Sequence, residues 1–194
     1  MKQVVVISGP TGSGEGTITS ELIRRYPNKF ARLVTATTRP PRDQEQHGID
    51  YYFFSKEEFS RLREEGVIPE AGYVANRDTY YGSYIPDLEA KSAQGLISIA
   101  NVQIEGTKFY KKNYNATTVF IDPPSIDIVM ARVRKRSPGL SEEEYAARRT
   151  DAERETREEG PFYDYHVVNE EGKLDETVDT IMEILKKEGY TLDS

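Results

Sequence analysis

Val4-Val5-Val6-Ile7 runs straight into Ser8-Gly9-Pro10-Thr11-Gly12-Ser13-Gly14-Glu15-Gly16-Thr17, and helical spacing of apolar residues follows from Ile18 to Tyr26. A short unbroken apolar run bounded by glycines reads as a buried strand, and the next stretch as a turn into a helix. The spacing from Gly9 to Gly14 is that of a G-x-x-x-x-G phosphate loop. Small residues let successive backbone N–H groups converge on phosphate oxygens, and the helix N-terminus adds its positive end. Gly9, Thr11, Gly12, Ser13, Gly14, Gly16 and Thr17 are therefore candidate contacts to the phosphates of a nucleotide. Taken alone, the loop also reads as a glycine-rich strand–helix turn that holds no nucleotide.

The motif continues with Lys and then Ser or Thr, whereas this chain carries Glu15 and Gly16. Two unit charges ~4 Å apart at an effective dielectric near 20 interact by ~4 kcal/mol, so a carboxylate facing phosphate reverses a large attraction. Glu15 must point away, pair with a cation or hold a metal ion. Thr17 offers a hydroxyl one residue after the place where the motif usually has one.

Outward from this loop, strand and helix signals alternate. Strands are expected at Arg32–Thr37, Tyr51–Phe54, Leu96–Ala100, Val119–Ile121 and Val167-Val168, with a hairpin over Val67–Ser83 turning at Asn76-Arg77-Asp78. Helices are expected after Ser55, from Pro86 to about Gly95, and over Ile104–Asn113, Ser125–Arg136, Glu142–Glu158 and Leu174–Glu188. This rhythm predicts an α/β fold with a mainly parallel sheet. The polar, β-rich segment of residues 38–85 breaks the rhythm and reads as an inserted lobe. The highly charged segment 137–160 reads as a helical lid, leaving a core of residues 1–37, 86–136 and 161–194 within one domain.

The 194 residues are 37% hydrophobic and 30% charged, an ordinary soluble balance. No apolar run approaches the ~18 residues of a membrane span, and the opening run reads as a strand rather than a signal peptide. With no Cys there is neither a disulfide framework nor a thiolate centre, and His47 and His166 alone make a histidine metal site unexpected. A reducing, cytoplasmic home is the default. The net charge of −7 argues against general nucleic-acid binding. Arginines nevertheless cluster at Arg39 and Arg42, and again through Arg132, Arg134, Arg136, Arg148, Arg149, Arg154 and Arg157. Local clusters in an acidic chain suggest discrete anion sites, with solvated helix faces as the plainer reading of the second.

Three further stretches are specific: Thr35-Ala36-Thr37-Thr38-Arg39-Pro40-Pro41-Arg42, Gly48-Ile49-Asp50-Tyr51-Tyr52-Phe53 and Tyr80-Tyr81-Gly82-Ser83. Together they resemble the GMP-binding motifs of guanylate kinases. Arg132 to Arg136 followed by Ser141 to Arg148 resembles the lid of that family, and Pro123-Pro124-Ser125 and Val168-Asn169 match it too. The resemblance spans essentially the whole chain in order. It implies a P-loop three-layer fold with a β-rich lobe for the nucleoside monophosphate and a helical lid. It also implies phosphoryl transfer from ATP to GMP or dGMP with Mg²⁺, within purine nucleotide metabolism. The expected partners are therefore small nucleotides, with no nucleic acid or membrane, and no protein partner is indicated.

Residue by residue, the resemblance gives the acceptor phosphate Arg39, Arg42, Tyr51 and Tyr81, which suit charge-assisted and hydroxyl contacts. It gives the guanine base Thr35, Glu70 and Ser83. A carboxylate at Glu70 accepts from guanine N1–H and the 2-amino group and repels the unprotonated N1 of adenine. Arg132, Arg136 and Arg148, with Arg39, are the expected catalytic cations around the transferring group. The family's Asp-x-Asp pair is here Asn101-Val102-Gln103, placed by the resemblance at the acceptor site. Replacing lysine by Glu15 lowers the local charge by two, and losing two aspartates raises it by the same amount. Glu15 is thereby expected to take over a carboxylate's role near Mg²⁺ or substrate, although no protein ligand to the metal is assigned. Two alternatives stand beside this reading. One is a catalytically silent guanylate-kinase-like module that binds a nucleotide or phosphopeptide. The other is a nucleoside-monophosphate kinase of altered donor or base preference.

Overall fold

The computed structural model describes residues 2–75 and 78–192, so Asn76 and Arg77 of the expected turn lie outside the described residues. In chain order the elements begin with β1 (Val4–Ser8), α1 (Glu15–Arg25), β2 (Phe30–Arg32), β3 (Ala36–Thr37) and β4 (Tyr52–Phe53). Next come α2 (Lys56–Glu64), β5 (Ala71–Val74), β6 (Thr79–Gly82), α3 (Ile85–Ala93) and β7 (Ile97–Ala100). The chain continues through α4 (Ile104–Tyr114), β8 (Thr117–Asp122), α5 (Ile126–Arg136) and α6 (Glu142–Arg154). It closes with β9 (Tyr165–Val168) and α7 (Leu174–Lys187).

Five strands form a parallel sheet in the order β2-β7-β1-β8-β9. β1 is the middle strand, which is why its residues Val4 to Ile7 are apolar without alternation: helices cover both faces. The two-residue period of a strand sorts them all the same. Val5 and Ile7 pack with Ile18 and Leu22 of α1 and with Val178, Ile181 and Leu185 of α7. Val4 and Val6 face the other way, against Leu88 of α3 and Tyr110 of α4.

The apolar run expected as one strand at Arg32–Thr37 is divided between two sheets. Phe30–Arg32 pairs with β7, and three residues later Ala36-Thr37 pairs with β4 and β6 in a second, four-stranded sheet of order β4-β3-β6-β5. The second sheet has a small core of its own around Ala36, Phe59 and Ile68. Ser55 caps α2 through a reciprocal pair of bonds with Glu58, and Ser141 caps α6 in the same way with Glu144. Only Ala152 of α6 is buried. After Arg154 the expected helix passes into a five-residue π-turn, Glu155–Glu159. Among the described residues no helix is long and apolar enough to cross a membrane.

Candidate active site

Every segment singled out in the core lies at the carboxyl edge of the parallel sheet, the edge where open α/β sheets hold ligands. β1 ends at Ser8 and opens the loop, β7 runs into Asn101, and β9 runs into Asn169. Gly14 stands at the N-cap of α1 with φ 99° and contributes no capping side chain. The first-turn N–H groups of α1 therefore remain available to an anion. The space above Gly14 is filled by Asn169, whose Nδ2 donates to the Ser13 carbonyl at 2.7 Å, and a Cβ at Gly14 would collide with that amide. Asn169 thus braces the loop from the far end of the chain.

Glu15 is turned back into its own loop: the buried Ser13 hydroxyl donates to Glu15 Oε2 at 2.7 Å. Beside the loop lies a cavity of about 510 Å³. Glu15, Gly16, Thr17, Arg132, Arg136 and Asn169 are among its lining residues. Arg132 donates to the carbonyls of Gly12 (3.4 Å) and Asn169 (3.2 Å), spanning the loop and its brace.

The second arginine cluster separates by partner. Arg134 forks onto Glu142, Arg149 pairs with Asp127 and Glu153, Arg154 with Glu159, and Arg157 with Glu158. Arg132, Arg136 and Arg148 hold no carboxylate among the described residues. The solvated-face reading therefore describes the first group, and it leaves three cations without a carboxylate partner among the described residues at the positions the resemblance selects.

Across the edge, Arg39 is held by Glu45 in a two-pronged pair of 2.6 and 2.7 Å. Its guanidinium lies 5.0 Å from the ring centre of Tyr51, and that ring meets Tyr81 edge-on at 5.8 Å. The Arg39 side chain is 12% exposed, and Glu45 raises its proton affinity further. The same guanidinium pulls Glu45 down to about 2. The backbone N–H of Arg42 also donates to Glu45, at 2.8 Å. Arg39, Arg42, Tyr51 and Tyr81 thus come together. Glu45 is the organiser that the sequence reading missed, although its place six residues after Arg39 in one polar loop was a signal.

Glu70 opens the hairpin of the second sheet and is fastened to its far end. The Ser83 hydroxyl donates to Glu70 Oε2 at 2.8 Å, and the Ser83 N–H to the Glu70 carbonyl at 3.0 Å. Burial raises the Glu70 carboxyl above the usual range. Asn101 is committed elsewhere, accepting from Thr19 Oγ1 at 3.1 Å and donating to the Ile7 carbonyl at 2.8 Å. It locks β1 to α1. Gln103 is exposed at the N-cap of α4, and Thr35, half-buried, gives its carbonyl to the Tyr52 N–H. Among the described residues no three acidic or histidine side chains gather as a metal cage.

The family model for guanylate kinase matches residues 1–188. The chain belongs to the guanylate kinase family. A guanylate kinase of Synechocystis sp. is 35% identical over 188 residues, covering 96% of this chain and 94% of the relative. One from Thermosynechococcus vestitus is 38% identical over 170 residues, 87% of this chain and 86% of its own. The crystal structure of guanylate kinase from Anaplasma phagocytophilum superposes with a TM-score of 0.71 at 30% identity, over 95% of this chain and 85% of that one. The SH3-kinase fragment of tight junction protein 3, at 12% identity and a TM-score of 0.56, shares the fold alone.

Proposed function

We propose that this guanylate kinase relative transfers the γ-phosphoryl group of ATP to GMP or dGMP, giving ADP and the nucleoside diphosphate. The observation that carries the reading is the cavity where a phosphate loop meets Arg132 and Arg136, cations with no carboxylate of their own. In this reading residues 38–85 are the acceptor lobe and 137–160 the lid, closing on the core of residues 1–37, 86–136 and 161–194. The acceptor phosphate sits on Arg39 and Arg42 with the Tyr51 and Tyr81 hydroxyls, and the base on Thr35, Glu70 and Ser83. Gly9, Thr11, Gly12, Ser13, Gly14, Gly16 and Thr17 hold the phosphates of ATP.

Phosphoryl transfer is mainly positioning and charge stabilisation, and the attacking oxygen of GMP is already anionic, so no general base is required. Arg132, Arg136 and Arg148 supply the positive charge that the lost lysine would have given. The oxygen donors Glu15 and Thr17 are of the hard type that suits Mg²⁺, which binds through one or two protein oxygens and the nucleotide's own phosphates. Held by these residues, Mg²⁺ would supply neutralising charge to the nucleotide phosphates. Asn101 braces β1 against α1, and Gln103, an exposed amide at the start of α4, stands where the acceptor is read to sit. A cysteine-free acidic chain of this kind fits a cytoplasmic setting.

The test is a coupled phosphoryl-transfer assay with Mg²⁺ and ATP, offering GMP, dGMP, AMP, CMP and UMP separately. Turnover confined to GMP and dGMP is expected. Binding of GMP without turnover of any acceptor would instead mark a silent binding module.

A further inference from the structure

Tyr110 of α4 is fully buried, and its hydroxyl lies near Ser83 without a well-formed hydrogen bond to any of the described residues. A buried phenol whose hydrogen bond is not fully made carries an uncompensated desolvation cost, so a group of this kind wants a reason. Its surroundings suggest one. Gly106 lies one turn earlier on the same face of α4, and a Cβ there would stand 3.4 Å from Glu70 Oε2 and 2.9 Å from Val102 Cβ. Helical side chains lean toward the helix N-terminus, so the Tyr110 ring runs along the face that Gly106 leaves bare, toward Glu70 and Ser83. Ser83, Glu70 and Asp87 are the polar groups that act on the phenol from the packed elements, with Tyr114 on its own helix. Glu70 in turn feels Glu105 and Arg63. Asp87 is already occupied by the Val34 N–H, the Tyr52 hydroxyl and Lys91. The Ser83 hydroxyl donates its hydrogen bond to Glu70, and a lone pair on its oxygen remains open.

We propose that Tyr110 is a positioning residue for base selection. When a purine seats on Glu70, the phenol donates to Ser83 Oγ and completes a Tyr110–Ser83–Glu70 chain that keeps the carboxylate ionised and aimed. The inference rests on Glu70 being the base-reading group of the acceptor lobe. Ionised, Glu70 accepts two hydrogen bonds from guanine. Protonated, it would offer a donor, which suits the N1 acceptor of adenine. Burial favours the protonated form, and a relay of donors opposes it, because each link polarises the next.

The experiment uses Tyr110→Phe and Glu70→Gln in steady-state kinetics, with kcat/KM for GMP and AMP followed from pH 5 to 9 beside thermal melts. Tyr110→Phe is expected to raise KM for GMP about three- to tenfold with kcat held within about twofold. It should also move the acid limb of the GMP profile to higher pH and narrow the preference for GMP over AMP. A Tyr110→Phe protein with unchanged KM and acid limb overturns the proposal, as does a raised KM with an unmoved limb, which is the result of lost packing alone. Glu70→Gln separates the two levels. If it binds GMP like the unaltered protein, the reading of Glu70 fails; if it weakens GMP while Tyr110→Phe does not, only the relay fails.

Discussion

Glu15 turns a familiar loop into an unfamiliar one, and its position says how. The carboxylate accepts a hydrogen bond from the Ser13 hydroxyl, two residues back, and shares a cavity wall with Arg132 and Arg136. A cation restored by Glu15→Lys would face those arginines and release Ser13, so kcat/KM for ATP should fall at least about tenfold in the coupled assay, a loss of ~1.4 kcal/mol. A gain in rate would overturn the idea of a rearranged, charge-conserving site. Glu45 makes a second residue-scale case. Glu45→Ala leaves Arg39 without its clamp, and KM for GMP should rise about tenfold with a smaller change in kcat, as expected where ground-state positioning is lost. Glu155 gives a pH signature. Burial and the neighbouring carboxylate of Glu159 push it up to about 7. The folded state then holds a proton that the unfolded chain, with the ordinary value near 4.5, has already released. Stability should therefore fall as pH rises from about 4.5 through 7. Glu155→Gln should flatten that slope and gain on the order of 1–2 kcal/mol at pH 8, read from urea melts at two pH values.

Among the elements, α6 stands apart because almost nothing on it is buried. Its ion pairs to α5 are Arg134–Glu142 and Arg149–Asp127 on exposed side chains, which contribute little each, and Arg134 also lies over the Tyr145 ring at 3.9 Å. Residues 142–159 should accordingly exchange amide hydrogens far faster than β1 or α7, and gain protection when GMP and a non-hydrolysable ATP analogue are added together. The absence of protection with both ligands would count against a closing lid. The π-turn that ends α6 illustrates what was not legible beforehand. Glu142–Glu158 carries an unbroken helical composition, and nothing local marks the change of hydrogen-bond register at Glu155. The division of the Arg32–Thr37 run was hidden for a related reason: propensity marks a strand without saying which sheet receives it. β1, its loop and α1 were legible because an apolar run, glycines and helical spacing all agree there. Arg39, Tyr51 and Tyr81 were legible through their motifs. Glu45, Asn169 and Tyr110 act across sequence separations or through the absence of a partner, and that becomes visible only in three dimensions.

For the whole molecule, the candidate binding residues of the core lie along one edge of the parallel sheet, where the proposed function has them meet ligand. Ligand should therefore stabilise the protein measurably. At a hundred times its Kd, GMP adds about 2.7 kcal/mol, or roughly 5–10 °C in melting temperature for a domain of this size. AMP at the same concentration should leave the transition close to that of the free protein, and an equal shift with both would deny base selection by the second sheet. That sheet is joined to the core in a particular way. The chain leaves the core at Leu33 and Val34 and returns to it in α3, and the Asp87 carboxylate of α3 accepts the Val34 N–H at 2.9 Å. The two ends of the segment are thus stapled side by side. A segment whose ends meet behaves as a cassette, because its interior can lengthen, shorten or change sequence without moving the β1 loop. In the proposed function, the half that reads the base is therefore exchangeable, by a lineage or a protein engineer, while the half that holds ATP stays as it is.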